Sequence, residues 1–407
     1  MYNIDMIKKK AFKFRLSPTL VQRHLFCSFA GSCRFVYNRA LSQRLEIYEK
    51  EQRSLSLFDQ NNELAQLKKE EETSWLRDIH SQILQQSLAN LDQAFKNFFR
   101  RVRQKEKPGF PKYKKRGFSD SFRYPQGVKV DDNRIFLPKI GWVRYIKSRD
   151  IEGRIKQTTI RKDGDHWFVS VQTEIACDDL KHPSESSVGI DLGVARFATL
   201  SNGESIEALN SFKSLEGKLA LAQRELSRKK KFSSNWKKQK RKIGNIHRKI
   251  RNSRHDFLHK TSTAISKNHA LVVMEDLDVQ KMTESPRGTQ ENPGKNIKVK
   301  SRFNRSMLDQ GWHTFRSFLG YKLEWLGGKL ELINPKNTSR MCTVCGHVAR
   351  ENRPSQAIFL CKACGHEDHA DLNAAINILR AGLAQFACGE KSQDSSLKQE
   401  PLAAVVS

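Results

Sequence analysis

No apolar run in this 407-residue chain approaches the ~20 residues a membrane-spanning helix needs. The first ten residues carry no apolar core of a secretory signal. Neither membrane insertion nor export is therefore expected. Acidic residues are the scarce charge: 44 Asp and Glu face 73 Lys and Arg, a net charge of +29. An excess of that size and sign points to a polyanion, nucleic acid above all, ahead of a merely soluble basic protein or a membrane surface. Disulfide logic is also missing from half of the eight cysteines. Cys27, Cys33, Cys177 and Cys388 are scattered without pairing, which suits buried or free thiols in a reducing cytoplasm.

The other four cysteines form two Cys-x-x-Cys pairs, Cys342/Cys345 and Cys361/Cys364, with fifteen residues between them. That spacing matches a four-cysteine zinc ribbon. Each pair closes a tight turn and aims two thiolates at one tetrahedral site, with Zn–S about 2.3 Å. Gly346 and Gly365 follow the pairs, where a residue free to take φ > 0 completes the turn. Four protein ligands leave no open position, so the expected zinc is structural. Two disulfides are the alternative. His347, His366 and His369 are expected as neighbours of the site, since four thiols suffice.

Along the chain, Ile7 to Leu16 reads as a strand with a cationic face, and Ser17-Pro18-Thr19 as a helix start. Apolar residues then recur at helical spacing to about Arg103, with a junction near Glu70 to Trp75. Pro108 to Pro111 ends that piece. The following stretch interleaves basic and aromatic residues, and Lys112, Tyr113, Arg123 and Tyr124 are candidate nucleic-acid contacts. From Gly127 to Ala176 short alternating strands follow, with a hairpin at Asp163-Gly164. With the first strand they are expected to close a small barrel. A polar linker covers 177–187. Ser211 to Asn268 reads as long, basic helix, expected along a nucleic acid backbone through Lys229, Lys230, Lys237 and Arg241. Asp278 to Lys300 reads as a mobile loop, Asn304 to Gly327 as one helix, Lys329 to Pro335 as a strand, and Asp371 to Leu383 as the closing helix.

Three acids sit where a phosphodiesterase needs them. Asp191 ends the buried strand Val188-Gly-Ile-Asp191, Glu275 ends the buried strand after His269, and Asp371 opens the last helix. If they converge, magnesium is the cation such oxygen ligands prefer. Two ions ~3.5–4 Å apart would activate a water and stabilise the leaving oxygen. Singly, each acid has a plainer reading: Asp371 as an N-cap, Asp191 as the start of a turn before Gly193.

Taken together, these residues resemble the TnpB family, transposon-encoded relatives of type V CRISPR effector nucleases. The resemblance is carried by Gly189-Ile-Asp191-Leu-Gly193, Val273-Met-Glu275-Asp-Leu277, the two cysteine pairs and Asp371-Leu-Asn-Ala-Ala375, supported by Arg34-Phe-Val-Tyr-Asn38, Gly109-Phe-Pro-Lys-Tyr113 and Asn304 to Trp312. It covers about residues 7 to 382. It implies a multidomain α+β protein: a wedge β-barrel (1–16 plus 108–180), an inserted helical recognition lobe (17–107), an RNase H-like, RuvC-type α/β nuclease domain (187–336 plus 367–384), a zinc ribbon inserted into it (337–366) and a disordered tail (385–407). It further implies an RNA-guided DNA endonuclease whose metal-binding catalytic residues are Asp191, Glu275 and Asp371, with Asp368 a lesser alternative to the last. Its partners would be a guide RNA copied from the transposon end, double-stranded target DNA read beside a short flanking motif, and the transposase of the same element, all in the cytoplasm at the nucleoid. A guided repressor without cleavage and a strand-transfer transposase remain as other readings.

Overall fold

The computed structural model describes residues 6–118, 120–177, 180–285, 287 and 293–396. The chain divides into two compact units, 1–178 and 179–407. No helix among the described residues is long and apolar enough to cross a membrane.

The first unit begins with β1 (Met6–Ser17), followed by α1 (Leu20–Glu51), α2 (Leu57–Leu67), a 3-10 turn over Glu71–Asp78 and α3 (Ser81–Arg103). Thr19 caps α1 reciprocally with Gln22, which satisfies two orphan N–H groups and fixes the start predicted at Ser17-Pro18-Thr19. Then come β2 (Ser121–Tyr124), β3 (Lys129–Asp131), β4 (Arg134–Leu137), β5 (Gly141–Ile146), β6 (Arg154–Asp163) and β7 (His166–Cys177). All pair antiparallel in the order β2-β6-β7-β1-β5-β4-β3. The expected barrel does not close. Its edges, β2 and β3, are four and three residues long and do not pair with each other. Helices cover the sheet instead: Phe26 and Phe29 of α1 pack on Phe122, and Phe26 on Trp167. Helices and sheet share one apolar core. The step at 107/108 therefore changes secondary structure without interrupting the core.

The second unit carries a five-stranded sheet: β8 (Ser187–Leu192), β9 (Arg196–Leu200), β10 (Ser205–Glu207), β11 (Leu271–Glu275) and β12 (Lys329–Ile333), in the order β10-β9-β8-β11-β12. The first three form an antiparallel meander, while β8, β11 and β12 run parallel. The crossovers hold α4 (Glu216–Ser227) and α5 (Ser234–Asn268), then α6 (Val279–Met282), α7 (Ile297–Gln310) and α8 (Trp312–Leu326). The single helix expected from Asn304 is two, broken at Gly311, whose φ of 72° ends α7 and starts α8. The loop expected over 278–300 is partly helical, in α6 and the start of α7; residues 286 and 288–292 lie outside the described ones.

β8 and β11 read as continuous apolar runs because both faces are covered. Val272 and Met274 face a core with Leu258, Phe315 and Leu319, while Leu271 and Val273 face Ile378 of the last helix. That helix, α9 (Ala370–Ser396), follows a two-stranded ribbon of β13 (Ile358–Leu360) and β14 (Glu367–His369). It runs past Leu383, so residues 385–396 of the expected disordered tail are helical; 397–407 lie outside the described residues.

Candidate functional site

Asp191 and Glu275 leave the same end of two neighbouring parallel strands, with Met274 in register with Ile190. α9 crosses β8 so closely that a Cβ on Gly189 would lie 2.7 Å from the Leu379 nitrogen and nearer still to the Ala375 carbonyl oxygen. Gly382 makes the same approach over Val273. Those two glycines let the first turn of α9 deliver Asp371 to the strand ends. Asp371 is not the N-cap: His369 precedes the helix, and its Nδ1 accepts the Asp371 N–H at 3.2 Å.

The electrostatics show that the acids feel one another. Burial, then the charges of Glu275 and Asp371, push the Asp191 carboxyl up to about 8, against the Arg353 guanidinium and the Leu192 N–H. Burial also raises Glu275, while the Thr338 hydroxyl, 2.5 Å from its Oε1, pulls it down. Asp371 accepts from Arg353 Nη2 at 3.1 Å. Among the described residues, the only set of three or more ligating side chains with all donor atoms within 4.8 Å is the cysteine cluster. The three carboxylates do not form such a set, although the Asp191 carboxyl feels the charges of the other two. Asp368 sits on β14, where it accepts the His369 N–H and lies 4.0 Å from His366.

In the ribbon the two cysteine turns repeat each other. Gly346 and Gly365 have φ of 74° and 75°, and their N–H groups return to the Cys342 and Cys361 carbonyls at 3.0 Å. Cys342 and Cys364 are 3.7 Å apart at sulfur, Cys345 and Cys361 3.5 Å. A tetrahedron with Zn–S of about 2.3 Å has edges of about 3.8 Å, so the thiols fit zinc, and as free thiols at that separation they form no disulfides. Burial works against a Cys361 thiolate, but the backbone N–H groups of Cys364 and Ala363, together with the Cys345 and Cys364 thiols, bring it down to about 6. His347 and His366 hydrogen-bond to Asn352 and Thr343 within the ribbon, whereas His369 turns to Arg196 and the Asp371 N–H.

Five contributors escaped the sequence reading: Asn352, Arg353, Asn373, Asn377 and Thr338. Buried Asn352 donates to the Arg340 and His347 carbonyls and accepts the Lys362 N–H, which holds adjacent Arg353 toward Asp371. Asn373 and Asn377 are buried and donate to the Met341 carbonyl, tying α9 to the ribbon. An asparagine pair four apart in an apolar helix was the available signal; Arg353 and Thr338 offered none.

Of the nucleic-acid candidates, Lys112, Tyr113, Lys230, Lys237 and Arg241 are exposed, and Arg123 and Lys229 are half-buried. Tyr124 is a correction. Its ring is fully buried against Phe122 and its hydroxyl donates to the Pro138 carbonyl at 2.9 Å, so it cannot stack on a base.

Family models match the chain under the descriptions "Probable transposase" over residues 168–286, "Cas12f1-like, TNB domain" over 312–378 and "Helix-turn-helix domain" over 6–53. Over the last span the structure holds β1 and the single unbroken α1. The "Putative RNA-guided DNA endonuclease InsQ" of Escherichia coli (strain K12) is 50% identical over 399 residues, covering 97% of this chain and 98% of that protein. A "Putative RNA-guided DNA endonuclease" of Streptomyces pristinaespiralis is 35% identical over 412 residues, covering 97% and 96%. Among solved structures, the "Cryo-EM structure of the Cas12f1-sgRNA-target DNA complex" aligns with a TM-score of 0.55 at 14% identity, over 91% of this chain and 98% of that one. At that identity the likeness concerns the fold.

Proposed function

The chain belongs to the TnpB family, and from that premise we propose that it is an RNA-guided DNA endonuclease that cuts double-stranded DNA with Asp191, Glu275 and Asp371. The relatives' names supply the activity class. The observation that carries the site is the Asp191 carboxyl, lifted to about 8 by burial and by the other two acids. Such a group is stabilised in its ionised form by a cation among the three. The strand order, with an antiparallel meander beside three parallel strands and acids at the ends of the two central parallel ones, supports an RNase H-like domain of the RuvC type.

Magnesium held by the three carboxylates would supply Lewis acidity and an ionised water for phosphodiester hydrolysis. The protein's own groups set the stage. The Thr338 hydroxyl fixes the orientation of Glu275. The Arg353 guanidinium, on the rim of the site against Asp371, is placed to meet a phosphate oxygen as charge builds there. The four thiols would hold zinc, and Asn352, Asn373 and Asn377 pass that rigidity on to Arg353 and α9. The guide would be an RNA from the transposon end, and base pairing would select the target beside a short flanking motif.

All three acids are present and interacting, which favours cutting over a guided repressor. The test is cleavage of a matched plasmid by the protein with its co-purified RNA. Asp191→Ala should abolish cutting while target binding persists. Joining of DNA ends in the same reaction would replace this reading with strand transfer.

A further inference from the structure

The hairpin of α4 and α5 ends in a feature that cationic contacts alone do not explain. From Ser227 to His255 there are thirteen Lys and Arg and no Asp or Glu. At its tip, α4 stops at Ser227 and Ser233 caps α5, its side chain accepting the Trp236 N–H at 3.2 Å. Between them stands Phe232, with φ of 68° and 73% of its surface exposed. A bulky aromatic residue in the left-handed region is a backbone outlier, and here it holds an apolar ring out in water. Outliers of this kind cluster at ligand-binding positions.

Among the described residues Phe232 touches one ring, that of Trp236, with centroids 5.5 Å apart and planes at 52°. Lys240 Nζ lies 5.0 Å over the Trp236 ring. A hydrophobic staple at a helix start would resemble this contact, yet most of Phe232 remains uncovered. Lys230, Lys231 and Lys237 lie within five residues of it along the chain, all exposed.

We propose that Phe232, backed by Trp236, is a stacking platform for an unpaired nucleobase, with Lys230, Lys231 and Lys237 on the flanking phosphates. An aromatic ring set among cations is the combination that binds single strands without sequence preference. Fully paired duplex offers no free base face along its length and is excluded. The site rests on the nucleic-acid-guided reading proposed above, but it makes no use of the three carboxylates.

The test uses the full chain, stripped of RNA in high salt and assayed without magnesium. The probes are a single-stranded RNA and a DNA of the same sequence, each with one 2-aminopurine, and the corresponding duplex. For wild type, binding of a single strand should quench the probe. Phe232→Ala should lose the quench and bind single strands about fivefold or more weakly, with duplex binding unchanged. Phe232→Trp should restore both. Phe232→Gly relieves the backbone conformation while removing the ring, so a matching loss in that variant excludes misfolding. Salt dependence separates the parts: Lys230→Ala should lower the slope by about 0.7, whereas Phe232→Ala should leave it unchanged. A loss confined to RNA assigns the strand to the guide, and one confined to DNA assigns it to the target. Unchanged affinity and quench with both single strands would overturn the platform, whatever Asp191→Ala does to cleavage.

Discussion

Asp191 keeps its proton in the folded protein far longer than in the unfolded chain, and that difference has a sign. Its carboxyl is raised from 3.8 to about 8, so between those values the folded state holds the extra proton. Stability then falls as pH rises through that window, by at most about 1.4 kcal/mol per pH unit for one group. Glu275, raised by burial, acts in the same direction. With zinc bound and magnesium withheld, melting should therefore move to lower temperature between pH 5 and pH 8. Asp191→Asn should flatten that dependence and raise the melting temperature at pH 8. Arg353 belongs to the same scale. Without its guanidinium, Asp191 loses the one cation that opposes its rise, and a phosphate loses a donor. Arg353→Ala should lower the cleavage rate by about 10²-fold, with Arg353→Lys recovering little because the fork geometry is lost. Single-turnover cleavage at saturating magnesium is the measurement.

Among the elements, the crossing of α9 over β8 decides whether the acids meet. Gly189→Ala places a methyl group against the backbone of α9 at Ala375 and Leu379. Overpacking of this kind typically costs about 1–3 kcal/mol. It should also lift Asp371 away from Asp191, so cleavage should fall by more than the lost stability explains. Tyr124 makes the opposite case: a core residue that read as a contact. Tyr124→Ala should destabilise the first unit by about 3–5 kcal/mol, while Tyr113→Ala, at an exposed ring, should change affinity and leave melting unaltered. The same elements show what was legible in the sequence. Apolar runs ending in acid announced β8 and β11 because both faces of each are covered, and the cysteine turns announced themselves by spacing. Arg353 and Thr338 did not, since their partners Asp371 and Glu275 lie 18 and 63 residues away. The unclosed sheet and the reach of α9 to Ser396 depend on tertiary packing, which local periodicity does not encode. Tyr124 misled because an alternating strand and a basic–aromatic loop share the same letters over four residues.

At the scale of the whole molecule, the net charge of +29 favours binding to nucleic acid. RNA should co-purify, and binding should weaken steeply with salt. The ribbon is a second global determinant. Replacing Cys345 with Ser should lower zinc content below one ion per chain and loosen Arg353 along with the ribbon, costing cleavage even at saturating magnesium. The account turns on guided cutting by three shared carboxylates, and one reaction tests it. The protein carrying its own RNA is given magnesium and two plasmids, one matching the 3′ end of that RNA and one with that match scrambled. The account predicts a cut in the matched plasmid alone, lost in Asp191→Ala, Glu275→Ala and Asp371→Ala with target binding retained. Equal cutting of both plasmids, or an Asp191→Ala protein that cuts at the wild-type rate, would contradict it.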